Sequence, residues 1–376
     1  MCHAPICILL SGVTAFHTHD YDNTTFPGIF LSHFLRASVE HTFGVFDWPS
    51  LTFQTTHPSM SMIPKDTEAA NEAGIELSPD PNAPLKLPVN ASKLTKWNAA
   101  MSLFHGVFAA ITLAVGNTDL AVPVYGSGVK VIVGGLNGTN VGTNATGGWA
   151  LTPDFSSVSS HIHLTWAVAC FFGLSCLFHL GNALLWKQLY IRALEKGYAP
   201  FRWIEYSMSA SVMILILAYT SGTTTQPVLV SLFGFTAITM AFGHLHEVIC
   251  RPKSLEEWAI SNKLERLQAH LIGYVPQCFA WGLVVAQFME AGGSSATDSQ
   301  GEKSQMPTFV YGIVFGELLI FWGFGLVQLI VSLRPPAKYY QGEIAYMWLS
   351  LFAKGVLGLL VLSNVLVLGS FTDIYA

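Results

Sequence analysis

The stretch that decides the fold is MWLSLFAKGVLGLLVLSNVLVLG, residues 347–369, in which Lys354 is the only charged residue. An apolar run of this length can cross a membrane as a helix. A lysine at the centre of such a helix costs several kcal/mol of free energy unless it has a partner or a changed chemistry. Lys354 is therefore a candidate functional residue.

The composition of the chain is typical of a membrane protein. Of its 376 residues, 51% are hydrophobic and 11% are charged, and the mean hydropathy is +0.46, whereas a soluble domain carries about a quarter charged residues. Apolar stretches of roughly 20 residues predict seven spanning helices, numbered 1 to 7: 97–116, 162–186, 201–221, 227–248, 268–289, 308–332 and 343–369. The expected fold is an all-α bundle of seven transmembrane helices.

Two segments outside these helices have their own character. Residues 1–90 are rich in Pro, Ser, Thr, Asn and His without a sustained period, which predicts a disordered extension before a seven-helix domain at 91–376. A cleaved signal peptide near the start is the alternative, weakened by the lack of a basic flank. Between helices 1 and 2, at about 117–160, two β-rich runs flank residues 126–128, and this pattern predicts a β-hairpin.

The basic residues are distributed unevenly along the chain. Of the 18 Lys and Arg residues, thirteen lie shortly before helix 1 or at the connections between helices 2 and 3, 4 and 5, and 6 and 7. They are Lys86, Lys93, Lys96, Lys187, Arg192, Lys196, Arg202, Arg251, Lys253, Lys263, Arg266, Arg334 and Lys338. Near the membrane, the opposite side carries Lys130 and Lys303. Because basic residues favour the cytoplasmic side, the N-terminus is predicted to be cytoplasmic. The hairpin is then extracellular, and the C-terminus is extracellular or lumenal.

Four polar side chains are expected at similar depth. At about 1.5 Å per residue, His105 in helix 1, His179 in helix 2 and Glu205 in helix 3 lie in the cytoplasmic half of the membrane. Lys354 starts deeper in helix 7, but a helical side chain leans towards the N-terminus of its helix. Its amine is therefore predicted to point at this polar layer.

Helices 7 and 3 each carry one face of polar and methionine side chains at helical spacing. These faces are Glu343, Met347, Ser350 and Lys354 in helix 7, and Glu205, Ser209 and Met213 in helix 3. Taken singly, the two serines favour helix packing, and Glu205 could equally form an interfacial ion pair with Arg202, one turn away. Single histidines such as His105 and His179 are more often hydrogen-bonded interior residues.

Lys354 is harder to explain as structure, because it lies too deep for its amine to reach the interface comfortably. One chemical solution is a covalent Schiff base to an aldehyde, with a carboxylate that neutralises the protonated imine.

Six segments resemble the heliorhodopsin family. FRWIEYSMSASVM in helix 3 and YMWLSLFAKGVLG in helix 7 are the most specific, and the likeness extends over roughly 94–370. LTKWNAAMSLFHG, FFGLSCLFHLGN, FGHLHEV and PTFVYGIVFGELLIFW are similar to the family's helices 1, 2, 4 and 6. The resemblance implies a light sensor with a slow photocycle, without pump activity, often dimeric, that signals to an unknown partner.

The resemblance also implies roles for individual residues. Lys354 would bind all-trans retinal covalently as a protonated Schiff base, and Glu205 would be the counterion. His105 and His179 would belong to a water-filled polar cavity. The chromophore-binding residues would be Ser209, Met213, Trp281, Phe321, Trp322 and Ser350.

Three residues depart from the family pattern or are unusual. Gln277 stands where Trp is expected in helix 5, and Trp322 stands where Asn is expected in helix 6, so the walls of the chromophore pocket are altered. Glu317 lies in helix 6 in the opposite half of the membrane from Glu205, where an unpaired carboxylate is a functional candidate. It either pairs with a helix-5 residue such as Gln287 or supplies the outer step of a proton path.

Three functions are compatible with these residues. The first is the retinal photoreceptor. The second is a light-gated proton channel or transporter that uses Glu317, Glu343 and Glu247 with the cytoplasmic polar cluster, and the third is a transporter without retinal. The sequence has no metal-ligand spacing, nucleophile elbow or phosphate loop, and its six cysteines have no paired spacing. We therefore expect neither an enzyme nor a metal site, and no nucleic-acid partner.

Overall fold

The computed structural model describes residues 86–133, 149–154, 156–293, 296–297, 303–304 and 308–367. Its described part contains seven helices that are long and apolar enough to span a membrane, which confirms the predicted number. They are α1 (Ala91–Val115), α2 (Leu164–Leu180), α3 (Pro200–Thr220), α4 (Gln226–Leu245), α5 (Lys263–Gly293), α6 (Thr308–Leu333) and α7 (Tyr340–Val361). Single π-helical turns extend α2, α4 and α7 over Gly181–Leu185, His246–Cys250 and Leu362–Val367.

Several helices begin earlier than hydropathy predicts. The helix α1 starts at Ala91 because the Asn90 side chain caps it, accepting a hydrogen bond from the Lys93 N–H at 3.0 Å. The helix α5 starts at Lys263, five residues before the predicted bound. These first turns are polar, and a hydropathy window does not register them.

The bundle is closed by α7. Consecutive helices pack against each other, and α7 also contacts α1, α2 and α3. The helix α3 is the most enclosed, because 72% of the residues in its apolar stretch are buried inside the bundle, compared with 28% in α1, α4 and α6. A polar side chain on α3 is therefore surrounded by protein, and the contact with α7 brings Glu205 and Lys354 to the same place.

One end of the bundle, called here the basic end, carries two short helices. Lys187–Glu195 joins α2 to α3, and Leu255–Ile260 joins α4 to α5. Leu87, which the sequence assigned to the disordered extension, is 4% exposed and packs against Val331 and Tyr339. Residues 86–90 of the predicted extension are thus described, and residues 1–85 lie outside the described residues, so the disordered extension stays a prediction.

The opposite end, called the ribbon end, carries the strands between α1 and α2. They are β1 (Ala121–Tyr125), β2 (Gly128–Val133), β3 (Trp149–Asp154) and β4 (Val158–His163). A hairpin is present as predicted, but its predicted turn at residues 126–128 is wrong. The strand β1 pairs with β4, and β2 pairs with β3, both antiparallel. The two runs that flank residues 126–128 therefore form one long arm of the ribbon.

The base of this ribbon enters the bundle. Val122 is fully buried and Val124 is 3% exposed, both in the main core with Leu217 of α3. The Tyr219 hydroxyl donates to the Pro123 carbonyl at 3.1 Å. The strand β1 thus fills the ribbon end of the bundle with apolar side chains.

Candidate functional site: a buried lysine and glutamate pair

The centre of the bundle holds an ion pair between α7 and α3. Lys354 Nζ lies 3.1 Å from Glu205 Oε1, and each side chain is 3% exposed. Lys354 also donates a hydrogen bond to Ser350 Oγ, one turn earlier on α7, at 2.8 Å. Lys354 is therefore paired with Glu205, the carboxylate on the polar face of helix 3 that faces it.

Two hydroxyl groups hold the carboxylate in place. Glu205 Oε1 accepts hydrogen bonds from Ser209 Oγ at 2.8 Å and from Ser175 Oγ at 2.5 Å. Ser175, on α2, was missed by the sequence analysis, although it lies four residues before His179 and hence on the same helix face. Hydroxyl and ammonium donors together stabilise an ionised carboxylate.

Two histidines stack beside the pair, with ring centres 5.5 Å apart. His105 Nδ1 lies 2.7 Å from the Met101 carbonyl, which can only accept, so this nitrogen carries the hydrogen. His179 Nδ1 lies 2.8 Å from Asn98 Oδ1, while the Asn98 amide nitrogen donates to Leu94. In neutral imidazoles the two Nε2 atoms then carry lone pairs. Both are buried without a hydrogen-bond partner among the described residues, so each can accept a proton.

A small polar cavity, about 20 Å³ in volume, extends from Glu205 towards the basic end. It is lined by Asn98, Phe178, His179, Asn182, Tyr190, Phe201, Arg202, Glu205, Tyr206, Glu343, Tyr346 and Met347. His179 therefore faces the cavity as the resemblance implied, and His105 stacks on it without lining the cavity.

Arg202 closes this cavity at the basic end. Its guanidinium forms ion pairs with Glu247, at 2.5 Å, and with Glu343. It does not pair with Glu205, which rules out the interfacial ion pair considered from the sequence. Two of the three carboxylates in the predicted proton path are thus held by one arginine that joins α3, α7 and the end of α4.

The surroundings of Glu247 are saturated with donors. It accepts hydrogen bonds from Trp203 Nε1 and the Ala199 N–H, both at 2.9 Å, and from Arg251 Nη1 at 3.1 Å. Arg202 stacks on the Tyr346 ring at 4.1 Å. Sequence reasoning could not find this cluster, because its members come from three segments that are distant in the chain.

Aromatic side chains surround the amine on the other side. Lys354 Nζ lies 5.2 Å from the centre of the Tyr206 ring, a contact that the sequence analysis did not predict. Trp281 and Phe321 meet edge to face at 5.4 Å. Met213 is buried in the same core. Trp322 stacks instead on Tyr274 at 5.3 Å and is 38% exposed on the outer surface of the bundle.

Glu317 is fully buried and faces the interior of the bundle. Neither of its carboxyl oxygens has a hydrogen-bond partner among the described residues, so the pairing with Gln287 considered from the sequence is not formed. Glu317 lies about nine residues into α6 from the ribbon end. It is nearer to that end than the other buried carboxylates of the described chain, which are Glu205, Glu247 and Glu343.

A family model for heliorhodopsins matches residues 94–366, which is more than half of the chain. The chain belongs to the heliorhodopsin family. It is therefore a retinal-binding, light-responsive rhodopsin and a multi-pass membrane protein. A comparison with curated proteins finds no match.

Three solved rhodopsin structures are similar to this heliorhodopsin. The transmembrane domain of Salpingoeca rosetta rhodopsin phosphodiesterase is 13% identical, with a TM-score of 0.46 over 72% of this chain and 84% of that one. Xanthorhodopsin, a light-driven ion pump with dual chromophore, is 10% identical, with a TM-score of 0.46 over 74% and 94%. A light-driven proton pump from Leptosphaeria maculans is 10% identical, with a TM-score of 0.40 over 74% and 96%. These values are too low to transfer any function.

The residues of the site fit a retinal bound to this heliorhodopsin through a lysine. Lys354 is a buried amine with a carboxylate at ion-pair distance, and aromatic rings lie on its other side. Among the described residues, no group of three or more His, Cys, Asp or Glu side chains is placed to hold a metal ion.

Proposed function

We propose that this heliorhodopsin is a light sensor that holds all-trans retinal as a protonated Schiff base on Lys354, with Glu205 as the counterion. The observation that carries the proposal is the pair itself, 3.1 Å apart and 3% exposed on both sides. When bound, retinal supplies light absorption and an isomerisation that disturbs the lysine nitrogen. No other carboxylate in the described residues lies at ion-pair distance from Lys354.

The protein supplies acceptors for the proton of the lysine nitrogen. Glu205 Oε1 is the nearest, and Ser175 and Ser209 keep it oriented towards Lys354. The Nε2 atoms of His105 and His179 are the next, since both are buried and unpaired among the described residues. Glu205 and His179 line the cavity that extends towards the basic end, so we place the movement of the proton within that half of the bundle.

Closed ends favour a sensor over a pump. Arg202 blocks the polar cavity at the basic end with two ion pairs, and β1 fills the ribbon end with Val122 and Val124. A proton that leaves the lysine nitrogen therefore returns by the same route, and the return is slow. Arg202 joins three helices, so a change in the charge of the cavity can alter the basic end, where we place the signalling partner. A homodimer remains part of the proposal.

An absorption spectrum tests the chromophore and its attachment. The purified protein made with all-trans retinal should show a visible band that bleaches in hydroxylamine. Lys354→Ala should remove the band while the protein still inserts in the membrane, because only a primary amine forms the imine. Lys338→Ala, at an exposed lysine of the basic end, is the control and should keep the band. A coloured Lys354→Ala variant would contradict the attachment site.

A light-gated proton channel is the second candidate, and Glu317 is the observation that favours it. The carboxyl is buried without a partner among the described residues. It lies in the ribbon half of the bundle, whereas the other buried carboxylates of the described chain lie towards the basic end. Voltage-clamped cells should then show a photocurrent that reverses with the proton gradient and vanishes in Glu317→Gln. Glu290→Gln, at an exposed glutamate of α5, should leave it unchanged. If the parent protein gives no photocurrent at any voltage, the channel is eliminated and the sensor remains.

A further inference from the structure

A second cavity lies between α4, α5 and α6. Its walls are aromatic, with Trp203, Phe321 and Phe324 towards the core and Trp322 towards the outer surface. Gly243 lies in the wall, where a Cβ atom would come within 2.3 Å of the Trp203 ring. A cavity of this kind suits the bulky apolar end of a ligand.

This cavity is within reach of Lys354. Lys354 Nζ lies 5.2 Å from the centre of the Tyr206 ring, and that ring lies 5.3 Å from the Phe324 ring, which lines the cavity. Phe321, in contact with Trp281, lines it as well. An extended polyene attached to Lys354 can therefore place its ring at this cavity.

Two polar side chains on α5 that line the cavity each have one unpaired polar atom among the described residues. His270 is 4% exposed and Gln277 is 5% exposed, and both line the cavity. His270 Nε2 and Gln277 Oε1 have no hydrogen-bond partner among the described residues. A buried polar atom left unpaired costs about 1–3 kcal/mol, which is a reason to expect a complementary group in the cavity.

The hydrogen bonds around His270 identify that group as a donor. Gln328 Nε2 donates to the Gly243 carbonyl at 2.9 Å, which fixes Gln328 Oε1 as an acceptor. His270 Nδ1 lies 2.9 Å from this oxygen and must therefore carry the hydrogen. In a neutral ring, Nε2 then has a lone pair and accepts. This conclusion does not depend on how the Gln277 amide is turned.

We propose that the cavity takes the ring of the retinal and that this ring carries a hydroxyl group, which donates to His270 Nε2. The inference rests on the proposed attachment to Lys354 and deepens it, since it names the chemical class of the chromophore. A ring ketone, which can only accept, does not match this acceptor. Water is the competing occupant, because a water molecule also donates.

Competition between retinals tests the proposal. The retinal-free protein is incubated with equimolar all-trans retinal, all-trans 3-hydroxyretinal and all-trans 4-oxoretinal, and the bound fractions are extracted with hydroxylamine and quantified. The hydroxylated form should be enriched roughly fivefold to tenfold, the ratio expected for one net hydrogen bond of about 1 kcal/mol. His270→Phe should reduce the enrichment while still forming pigment with ordinary retinal, which shows that this variant folds.

Gln287→Leu is the matched control on the same helix and should keep the enrichment. Equal incorporation of the three retinals by the parent protein would mean that water satisfies this acceptor, and it would overturn the proposal. Preference for the 4-oxo form would overturn it as well, because it requires a donor in the cavity. Ordinary retinal forming pigment in either case leaves the attachment to Lys354 intact, whereas no pigment with any retinal refutes that attachment and this inference together.

Discussion

At the scale of single residues, the charge of Lys354 is tolerated because three side chains complete its surroundings. Glu205 neutralises the amine, Ser350 accepts from it, and Tyr206 presents its ring. Removing one member of a buried ion pair costs about 3–5 kcal/mol, because it leaves the other charge uncompensated. The burial of each charge, on Lys354 and on Glu205, therefore depends on the presence of the other.

Glu205→Gln should change the colour of the pigment. Without the carboxylate, the protonated imine loses its stabilising charge. The visible band should then move to the red, or the imine should deprotonate at lower pH than in the parent protein and give a near-ultraviolet form. Absorption spectra recorded over a pH series measure both effects.

Glu343→Gln is the matched control for this change. Glu343 pairs with Arg202 and not with Lys354, so its neutralisation should shift the band much less than Glu205→Gln does. A Glu205→Gln pigment with the parent spectrum and titration would exclude this residue as the counterion.

Lys253 should make stability depend on pH. Burial, with the positive charge of Arg251 beside it, lowers the pKa of Lys253 to about 8. Between pH 8 and the usual lysine range near 10.4, the folded state has released a proton that the unfolded state still binds, so stability rises with pH in this window. Below pH 8 both states are protonated, and the contribution of Lys253 is constant and at its lowest.

Thermal unfolding of the parent protein and of Lys253→Gln isolates this contribution. The difference in Tm, parent minus variant, should be flat below pH 8 and rise above it. This rise corresponds to about 1.4 kcal/mol in the free energy of unfolding per pH unit. A difference that stays flat from pH 7 to 10 would show that the proton remains on Lys253, held by its hydrogen bonds to the Glu247 and Gly197 carbonyls.

Sequence reasoning found the residues whose burial is improbable without a partner. Lys354 and Glu205 were identified because charges inside apolar helices are costly. Ser175 could have been predicted from the sequence, since it shares a helix face with His179. The alternative pair of Arg202 with Glu205 is not formed, and the actual partners of Arg202, Glu247 and Glu343, were not predicted because they are distant in sequence.

At the scale of elements, helix packing around α4 depends on close approach. The helix carries two glycines with opposite surroundings, because a Cβ on Gly243 would lie 2.3 Å from the Trp203 ring, whereas a Cβ on Gly234 would meet nothing within 4 Å. Gly243→Ala should therefore destabilise the protein by about 1–3 kcal/mol through overpacking. Gly234→Ala should be neutral or slightly stabilising, since alanine favours a helix by about 1 kcal/mol over glycine.

Heat inactivation of the visible band in detergent measures both variants. If the Gly243→Ala protein is as stable as Gly234→Ala, Trp203 can move aside without a cost in stability. The packing of α3 against α4 is then less tight than the contact of Trp203 with Gly243 indicates.

The seven helices were predictable and the pairing of the ribbon was not. Hydropathy over 20 residues is a local property, whereas strand pairing is decided by partners far apart in the chain. Residues 126–128 have the composition of a turn, yet the Gly126 N–H donates to the Ser157 carbonyl at 2.9 Å. The arm therefore continues past the glycine from β1 to β2, with a register shift between Val124 and Tyr125.

At the scale of the whole molecule, the orientation in the membrane is still a prediction from the basic residues. Asn137 and Asn144 begin the sequons NGT and NAT, and Asn90 begins NAS. Expressed in a eukaryotic secretory membrane, the chain should carry glycans at Asn137 and Asn144 only, because glycosylation occurs in the lumen. The first two positions lie outside the described residues, while Asn90 caps α1 at the basic end.

Glycosidase treatment of the single variants Asn90→Gln, Asn137→Gln and Asn144→Gln, followed by gel mobility, identifies the modified sites. A glycan on Asn90 would reverse the orientation, and with it the assignment of the basic end to the cytoplasm.

The separation between a polar half and an apolar half has an electrical consequence. The membrane potential acts on a moving charge with about 2.3 kcal/mol per 100 mV only when that charge crosses the full thickness. A proton that travels between Lys354, Glu205 and the two histidines covers a small fraction of this distance, so its equilibrium is almost independent of voltage. Light should then produce a displacement current whose rise and slow return carry equal and opposite charge, and the sensor would report light identically in polarised and depolarised membranes.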